Sequence, residues 1–357
     1  MQKMRFGVIG TGMMGCEHLR NLLPMDDVEI TAVSDPNDEP LSWAELTIGD
    51  KWSSVEAFRD HEALLASGLV DAVVIASPNH THKAILDGVL STDVPVLVEK
   101  PMCTTVEDCM AVVDASKRRE AITWVGLEYR YMPPIARFLE SIRAGDVGNL
   151  KMLAIREHRF PFLVKVGNWN RFTRNTGGTL VEKCCHFFDL MNLAIGSPPT
   201  RVFASGGQDV NHLDEVYDGE RSDILDNAYV IVDYDNGVRA MLDLSMFAEG
   251  GRNEQEIVAV GDAGKLEAAV PGDGKLHLGR RSDRSVTPLA VPHEQVGHVG
   301  FHHGASYVEL RRFIDAVRGS GPAEVDTTAG LWSVVVGAAA HRSIDERRPV
   351  DIAEYGL

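Results

Sequence analysis

The chain is short of positive charge. It carries 35 Lys and Arg against 52 Asp and Glu, a formal charge of -17 over 357 residues. Nucleic acid and anionic membrane both call for the opposite balance, so neither is expected as a partner. Cysteine is scarce as well: Cys16, Cys103, Cys109, Cys184 and Cys185 are odd in number and irregular in spacing. That excludes a disulfide framework and a paired C-x-x-C zinc site. Long apolar runs are missing, and the most apolar late stretch, residues 331–340, is far too short to cross a bilayer. The first apolar run begins almost at the first residue with no leader-like segment before it, so a reduced, cytoplasmic protein is expected. Internal repeats and low-complexity tracts are also absent.

What is present is enough apolar material, 44% of residues, for sizeable cores, and a length that suits two domains. The stretch over residues 4–35 organises the first of them. An apolar run at 6–9 of strand length leads into Gly10, Gly12 and Gly15 in the pattern G-x-G-x-x-G. A helical segment follows, then a second strand at 29–33 that ends at Asp35. Gly10 makes the tight turn, Gly12 lets the backbone approach a pyrophosphate, and Gly15 lets the helix pack closely on the strand. The helix start at Met13 and Met14 offers N–H groups and a positive dipole end to phosphates. Asp35 can accept hydrogen bonds from both adenosine ribose hydroxyls and repels a 2′-phosphate, which favours NAD over NADP. Strand, glycines, helix, strand and acid in this order indicate a dinucleotide site. The plainer alternative is a glycine-rich turn in another α/β unit.

Beyond Asp35, residues 36–54 give no clear element. A helix is expected at 56–67, a buried strand at 72–76, a helix from 82 to 90 and a strand at 96–98. A helix at 106–117 and a strand at 122–125 close the half. Buried strands alternating with helices imply a parallel, doubly wound sheet. Past Gly126 the pattern changes. Helices are expected at 134–144, from Gly178 to about 193, and at 306–318 and 328–346, around alternating strands over 151–160 and 201–278. A hairpin turn falls at Asp235-Asn236-Gly237, and residues 280–300 read as an exposed excursion. The division is thus a dinucleotide-binding domain over 1–126 and an α+β domain with a mainly antiparallel sheet over 127–357. Few helices are available to cover that sheet, which leaves one face for a partner subunit.

Ligands in open α/β sheets bind beyond the C-terminal strand ends, and three motifs fall there: Gly10–Gly15, Ser77-Pro78-Asn79-His80-Thr81-His82, and Glu99-Lys100-Pro101. Lys100, at the mouth of the crevice, could serve as a general acid/base or hydrogen-bond a reacting hydroxyl; a surface lysine bridged to Glu99 is the bland alternative. In a helix, Glu182, His186 and Asp189 share one face at i, i+4 and i+7. There a carboxylate and an imidazole could hold polyol hydroxyls or take a proton, or could simply be a capped histidine and a solvated acid. Cys184 and Cys185 read as small buried apolar residues. His293, His298, His302 and His303 match no ligand spacing, so no metal is expected; His302 or His303 could instead reach the cleft.

G-T-G-M-M-G, Asp35, S-P-N-H-T-H, E-K-P and G-G-x-L-x-E-x-x-x-H, in this order over essentially the whole chain, resemble the Gfo/Idh/MocA oxidoreductase family. The resemblance implies a Rossmann domain followed by a large open-faced sheet domain, assembled as a homodimer or homotetramer through that sheet. It implies an NAD-dependent oxidoreductase acting on a secondary hydroxyl of a cyclic polyol or sugar. Lys100 resembles the catalytic lysine, Glu99 a residue near the nicotinamide ribose, and Pro101 the proline that sets the lysine's direction. Ser77, Asn79 and His82 match the cofactor-side loop, and His186 the active-site histidine. Glu182 stands where the family usually has aspartate, and Lys183-Cys184-Cys185 replaces more usual small and apolar residues. Arg130 and Tyr131, and Trp169, Asn170 and Arg171, are further candidates for the substrate pocket, Arg171 equally for a structural ion pair. Two alternatives stay open: a tightly held, internally recycled NAD serving an oxidoreductase or glycosidase, and a non-catalytic NAD-linked sensor.

Overall fold

In a computed structural model that describes residues 2–292 and 295–357, six short strands form an all-parallel sheet. They are β1 (Met4–Ile9), β2 (Val28–Ser34), β3 (Glu56–Phe58), β4 (Ala72–Ile75), β5 (Val96–Glu99) and β6 (Thr123–Gly126), in the order β3-β2-β1-β4-β5-β6. Helices α1 (Met13–Leu22), α2 (Asp38–Ile48), α3 (His61–Ala66), α4 (His82–Leu90) and α5 (Val106–Ser116) connect them. β4 and β5 are buried at every position, which is why they read as unbroken apolar runs: helices cover both faces of such a sheet. Burial of each Val, Ile or Leu side chain there contributes roughly 1.5–3 kcal/mol. The order reverses between β1 and β4, so the loops after these two strands flank the switch point at which doubly wound sheets bind ligands.

The second sheet has nine strands. β7 (Leu150–His158), β8 (Pro199–Gly207), β11 (Asn227–Tyr234), β12 (Arg239–Ser245), β13 (Gln255–Gly261), β14 (Gly264–Val270), β15 (Lys275–Arg280), β16 (Val286–Ala290) and β17 (Val350–Asp351) take the order β16-β15-β14-β13-β7-β12-β11-β8-β17. A separate ribbon pairs β9 (Val216–Tyr217) with β10 (Glu220–Arg221). Among the described residues only β7 and β12 run parallel in the large sheet; its other pairs are antiparallel. The alternation in β11, with Ala228, Val230 and Val232 buried and Tyr229 and Ile231 exposed, marks a sheet with one covered face. Gly237 turns the hairpin between β11 and β12 at φ +80°, a region glycine enters without strain. The helices are α6 (Pro133–Arg143), α7 (Thr173–Thr176), α8 (Thr179–Glu182), α9 (Cys185–Ile195), α10 (Ala305–Asp315) and α11 (Thr327–Glu346).

The chain divides into two units: Met1–Tyr131 with Lys165–Trp169 and Gln295–Leu331, and Met132–Val164 with Asn170–Glu294 and Trp332–Leu357. Gln295–Leu331, in the stretch the sequence reading gives to the second domain, groups with the first unit by its contacts. Its α10 sends Phe313 edge-on against Phe6 of β1 and Trp124 of β6, with ring centroids at 6.3 and 6.2 Å.

Other differences have local causes. Residues 56–67 are not one helix, because Glu56–Phe58 pairs with β2 and the Asp60 side chain then caps α3 by accepting from Ala63 N–H at 2.7 Å. Residues 36–54 do form a helix, α2, whose acidic first turn (Asp38, Glu39) and Pro40 suit a helix start. Within 280–300, Val286–Ala290 adds an exposed edge strand to β15. The segment after Gly178 breaks at Lys183–Cys184 into α8 and α9 rather than running on.

Candidate active site

In the first unit the glycine loop has the shape its sequence requires. A Cβ on Gly10 would lie 2.6 Å from Ser77 N, and one on Gly15 would lie 2.0 Å from the Gly10 carbonyl oxygen; at Gly12 nothing lies within 4 Å. No side chain caps the start of α1 at Gly12, so the N–H groups of Met13 and Met14 remain available to an anion. Asp35 is buried at the end of β2, where its carboxylate accepts from Thr11 N–H and Asn37 N–H, both at 3.0 Å. Thr11 Oγ1 and Asn79 Nδ2 are buried polar atoms without a hydrogen-bond partner among the described residues. Orphaned polar atoms beside an uncapped helix start and an open glycine are what a dinucleotide would satisfy, so these residues fit NAD.

The loop Ser77–His82 is tied to the Lys100 segment. His82 is fully buried, with Nδ1 2.8 Å from the Pro101 carbonyl oxygen and Nε2 3.0 Å from that of Ser77. Burial lowers its pKa, while the Pro101 and Ser77 carbonyl oxygens opposite its two ring nitrogens pull it back up. The Lys100–Pro101 peptide is cis. Lys100 follows the last residue of β5, and its N–H donates to Glu99 Oε2 at 3.2 Å. Glu99 is itself buried, with Oε1 2.7 Å from Nε2 of His18 on α1. Burial alone would raise the Glu99 carboxyl; His18, Lys100 and His302 outweigh it and bring it to about 2. Arg130 donates to the Glu324 carbonyl oxygen at 2.8 Å, and Tyr131 to the Glu324 carboxylate at 3.0 Å. Trp169 lies tilted against His80, with centroids 6.2 Å apart.

Two of the late histidines stand against buried acids. His298 Nε2 is 3.3 Å from buried Glu17, and His302 Nδ1 is 3.2 Å from buried Glu128. His293 lies outside the described residues. Among the described residues no three His, Cys, Asp or Glu side chains gather as a metal site, and no helix is long and apolar enough to cross a membrane. All five cysteines are buried thiols.

In the second unit Glu182 ends α8, and His186 and Asp189 lie on α9, all buried. Between them Lys183 turns inward to Glu157 of β7, with Nζ 3.0 Å from Oε1 and both side chains almost fully buried. Burial pushes the Lys183 ammonium down and the Glu157 carboxyl up, each group pulling the other back. Arg171 is buried and pairs with Glu215 at 3.0 Å.

Gly178 admits the His341 ring of α11; a Cβ would lie 2.3 Å from its Nε2, which accepts from Leu180 N–H at 3.0 Å. Burial lowers the His341 pKa from 6.5 to about 4. A histidine with a depressed folded-state pKa contributes stability above its unfolded pKa and loses it as pH falls towards the folded value. Unfolding free energy should therefore drop by about 3 kcal/mol between pH 6.5 and 4 through this group. Urea unfolding across that window should show a shallower slope for His341→Gln; equal slopes would remove the assignment.

Residues 4–127 match the family described as "Oxidoreductase family, NAD-binding Rossmann fold", and residues 140–352 match "Oxidoreductase family, C-terminal alpha/beta domain". The chain belongs to the Gfo/Idh/MocA oxidoreductase family. By class it is an NAD(P)-dependent dehydrogenase. A relative named myo-inositol 2-dehydrogenase, from Thermotoga maritima, is 27% identical over 355 residues, covering 98% of this chain and 99% of its own. The scyllo-inositol 2-dehydrogenase (NAD(+)) of Bacillus subtilis is 24% identical, with 98% and 96% covered. Among solved structures, levoglucosan dehydrogenase in complex with NADH and levoglucosan superposes with a TM-score of 0.85 at 18% identity, covering 98% and 100% of the two chains. That likeness is one of fold.

The sequence reading missed His18, Thr11, Glu157 and His341. Only His18 carried a signal, since it lies three residues after Gly15 and one before Leu19 on a helix face that packs inward.

Proposed function

We propose that the chain is an NAD-dependent dehydrogenase that oxidises a secondary hydroxyl of a cyclic polyol or sugar, inositol-like or aldose-like. The observation that carries this reading is Lys100, held at the C-terminal end of β5 in a sheet whose switch-point loops fit a dinucleotide. Bound NAD would supply the hydride acceptor. Gly10, Gly12, Met13, Met14 and Gly15 hold the pyrophosphate. Asp35 takes the adenosine ribose hydroxyls, its carboxylate keeping lone pairs beyond those given to Thr11 and Asn37, and disfavours NADP. Ser77 and Asn79 line the cofactor side, with His82 bracing their loop, and Glu99 faces the nicotinamide ribose.

Lys100 hydrogen-bonds the reacting hydroxyl, and either His186 or the neutral form of Lys100 accepts its proton. Glu182 orients His186 or holds a neighbouring hydroxyl, and Arg130 and Trp169 contribute to substrate binding. Inositol dehydrogenases among the full-length relatives support the substrate class. A homodimer or homotetramer through the large sheet is supported by its exposed apolar side chains Met152, Phe203, Tyr229, Ile231 and Met241. Light scattering on the purified chain checks that assembly, and a monomer would refute it.

The function is tested by following NADH formation against a panel of inositols, aldoses and sugar acids, with NAD and NADP compared. Turnover on one class with NAD is the expected result. Silence across the panel with NAD shown to bind would overturn it in favour of an internally recycled cofactor or a sensor.

A further inference from the structure

Helix α1 buries a run of polar residues that its apolar packing does not require. Glu17, His18 and Asn21 are each no more than 2% exposed. Asn21 answers its own helix through the Glu17 carbonyl at 2.9 Å, and Glu17 accepts from Phe301 N–H at 3.3 Å. His18 does something different. Its Nε2 meets Glu99 Oε1 at 2.7 Å across 81 residues of sequence, while its Nδ1 is buried without a partner among the described residues. A ring that leaves one nitrogen unanswered is held for the contact made by the other.

Glu99 passes that contact on. Its second oxygen accepts from Lys100 N–H at 3.2 Å. Beside it runs β6, where Gly126 leaves the space: a Cβ there would lie 3.3 Å from Glu99 Cα and 3.6 Å from Oε2. The carboxylate is thus buried with one oxygen on His18 and the other on the Lys100 N–H, and the His18 contact sets its orientation.

We propose that His18 is a positioning residue for Lys100, acting through Glu99 to hold the lysine segment in register with the helix whose N-terminus faces the cofactor phosphates. The proposal rests on the reading of Lys100 as the group that acts on the substrate hydroxyl. It adds that the two ends of the cofactor site are linked by one buried hydrogen-bonded path, α1–His18–Glu99–Lys100. Leucine at position 18 fills similar space but donates nothing. Glutamine can place a donor near the original Nε2, and asparagine, one methylene shorter, cannot.

The first measurement is amide hydrogen exchange of the full chain without NAD or substrate, which reads position independently of activity. In His18→Leu the Lys100 amide should exchange about tenfold faster, the effect of losing one charge-assisted hydrogen bond, while Val96, Leu97 and Val98 keep their protection. His18→Gln should stay close to the native rate. If leucine loosens the whole sheet, the Asn and Gln variants carry the comparison, with only Asn expected to speed exchange. The second measurement is kinetic, on whichever panel compound turns over. kcat should fall roughly 10²-fold in His18→Leu, with NAD affinity, read by tryptophan fluorescence, changed far less, and His18→Gln should restore much of it. Lys100 exchange unaltered in Leu and Asn, or Asn and Gln behaving alike, overturns the proposal. An altered exchange rate combined with wild-type turnover in Lys100→Ala would instead defeat the reading of Lys100 and leave the positioning path standing.

Discussion

Lys100→Ala should cut turnover by about 10²–10⁴-fold, the range typical of losing a positioned acid/base group, while NAD affinity changes little. The split follows from where the residue stands. The contacts assigned to the pyrophosphate and adenosine ribose come from the glycine loop, the start of α1 and Asp35, none of which depends on the Lys100 ammonium. The Lys100 backbone, by contrast, is held by Glu99 and followed by Pro101, whose carbonyl oxygen is bound by His82. These backbone contacts of the loop remain when the side chain is shortened. Lys100→Arg should rescue little, because a guanidinium stays charged and is wider than an ammonium. Turnover and NAD binding measured side by side decide the matter: an equal loss of both would make Lys100 a structural residue, and turnover close to wild type would remove it from the chemistry.

How much of this could be read from the chain depends on whether the cause was local. The glycine loop, Asp35 and the strand bearing Lys100 were readable because each is a short-range pattern: a turn that needs glycine, an acid at a strand tip, an apolar run ended by a lysine. The hairpin at Asp235-Asn236-Gly237 was readable for the same reason. The break between α8 and α9 was not, because apolar and polar residues there keep helical spacing through Lys183. The turn instead follows a long-range contact with Glu157, 26 residues earlier on β7. The return of Gln295–Leu331 to the first unit was hidden likewise: Phe313 finds Phe6 and Trp124 across hundreds of residues that periodicity does not connect. Glu99 lay between the two cases. Its place beside Lys100 was plain, but its partner His18 is a contact of tertiary structure.

Lys183→Met should lower the unfolding free energy by about 3–5 kcal/mol, the cost of stripping one partner from a buried ion pair. Lys183 and Glu157 are 5% and 0% exposed, and Arg159 stands 3.9 Å from the same Glu157 oxygen. Methionine would fill the space of the lysine stem but leave a carboxylate inside the unit. That group would then hold its proton to a higher pH when folded than when unfolded. A carboxyl of this kind contributes stability at low pH that is lost as pH rises through its folded-state value, so the deficit of Lys183→Met should be smaller at pH 5 than at pH 8. The His341 contribution is common to both proteins and cancels in that difference. Removing the second charge as well, in Lys183→Met with Glu157→Leu, should recover much of the loss, since well-packed apolar pairs of similar volume replace buried ion pairs at little cost. Urea unfolding of the two single variants and the double variant closes the cycle. A single-variant loss below about 1 kcal/mol, or a double variant no better than Lys183→Met, would mean that the helix bearing His186 does not depend on this anchor.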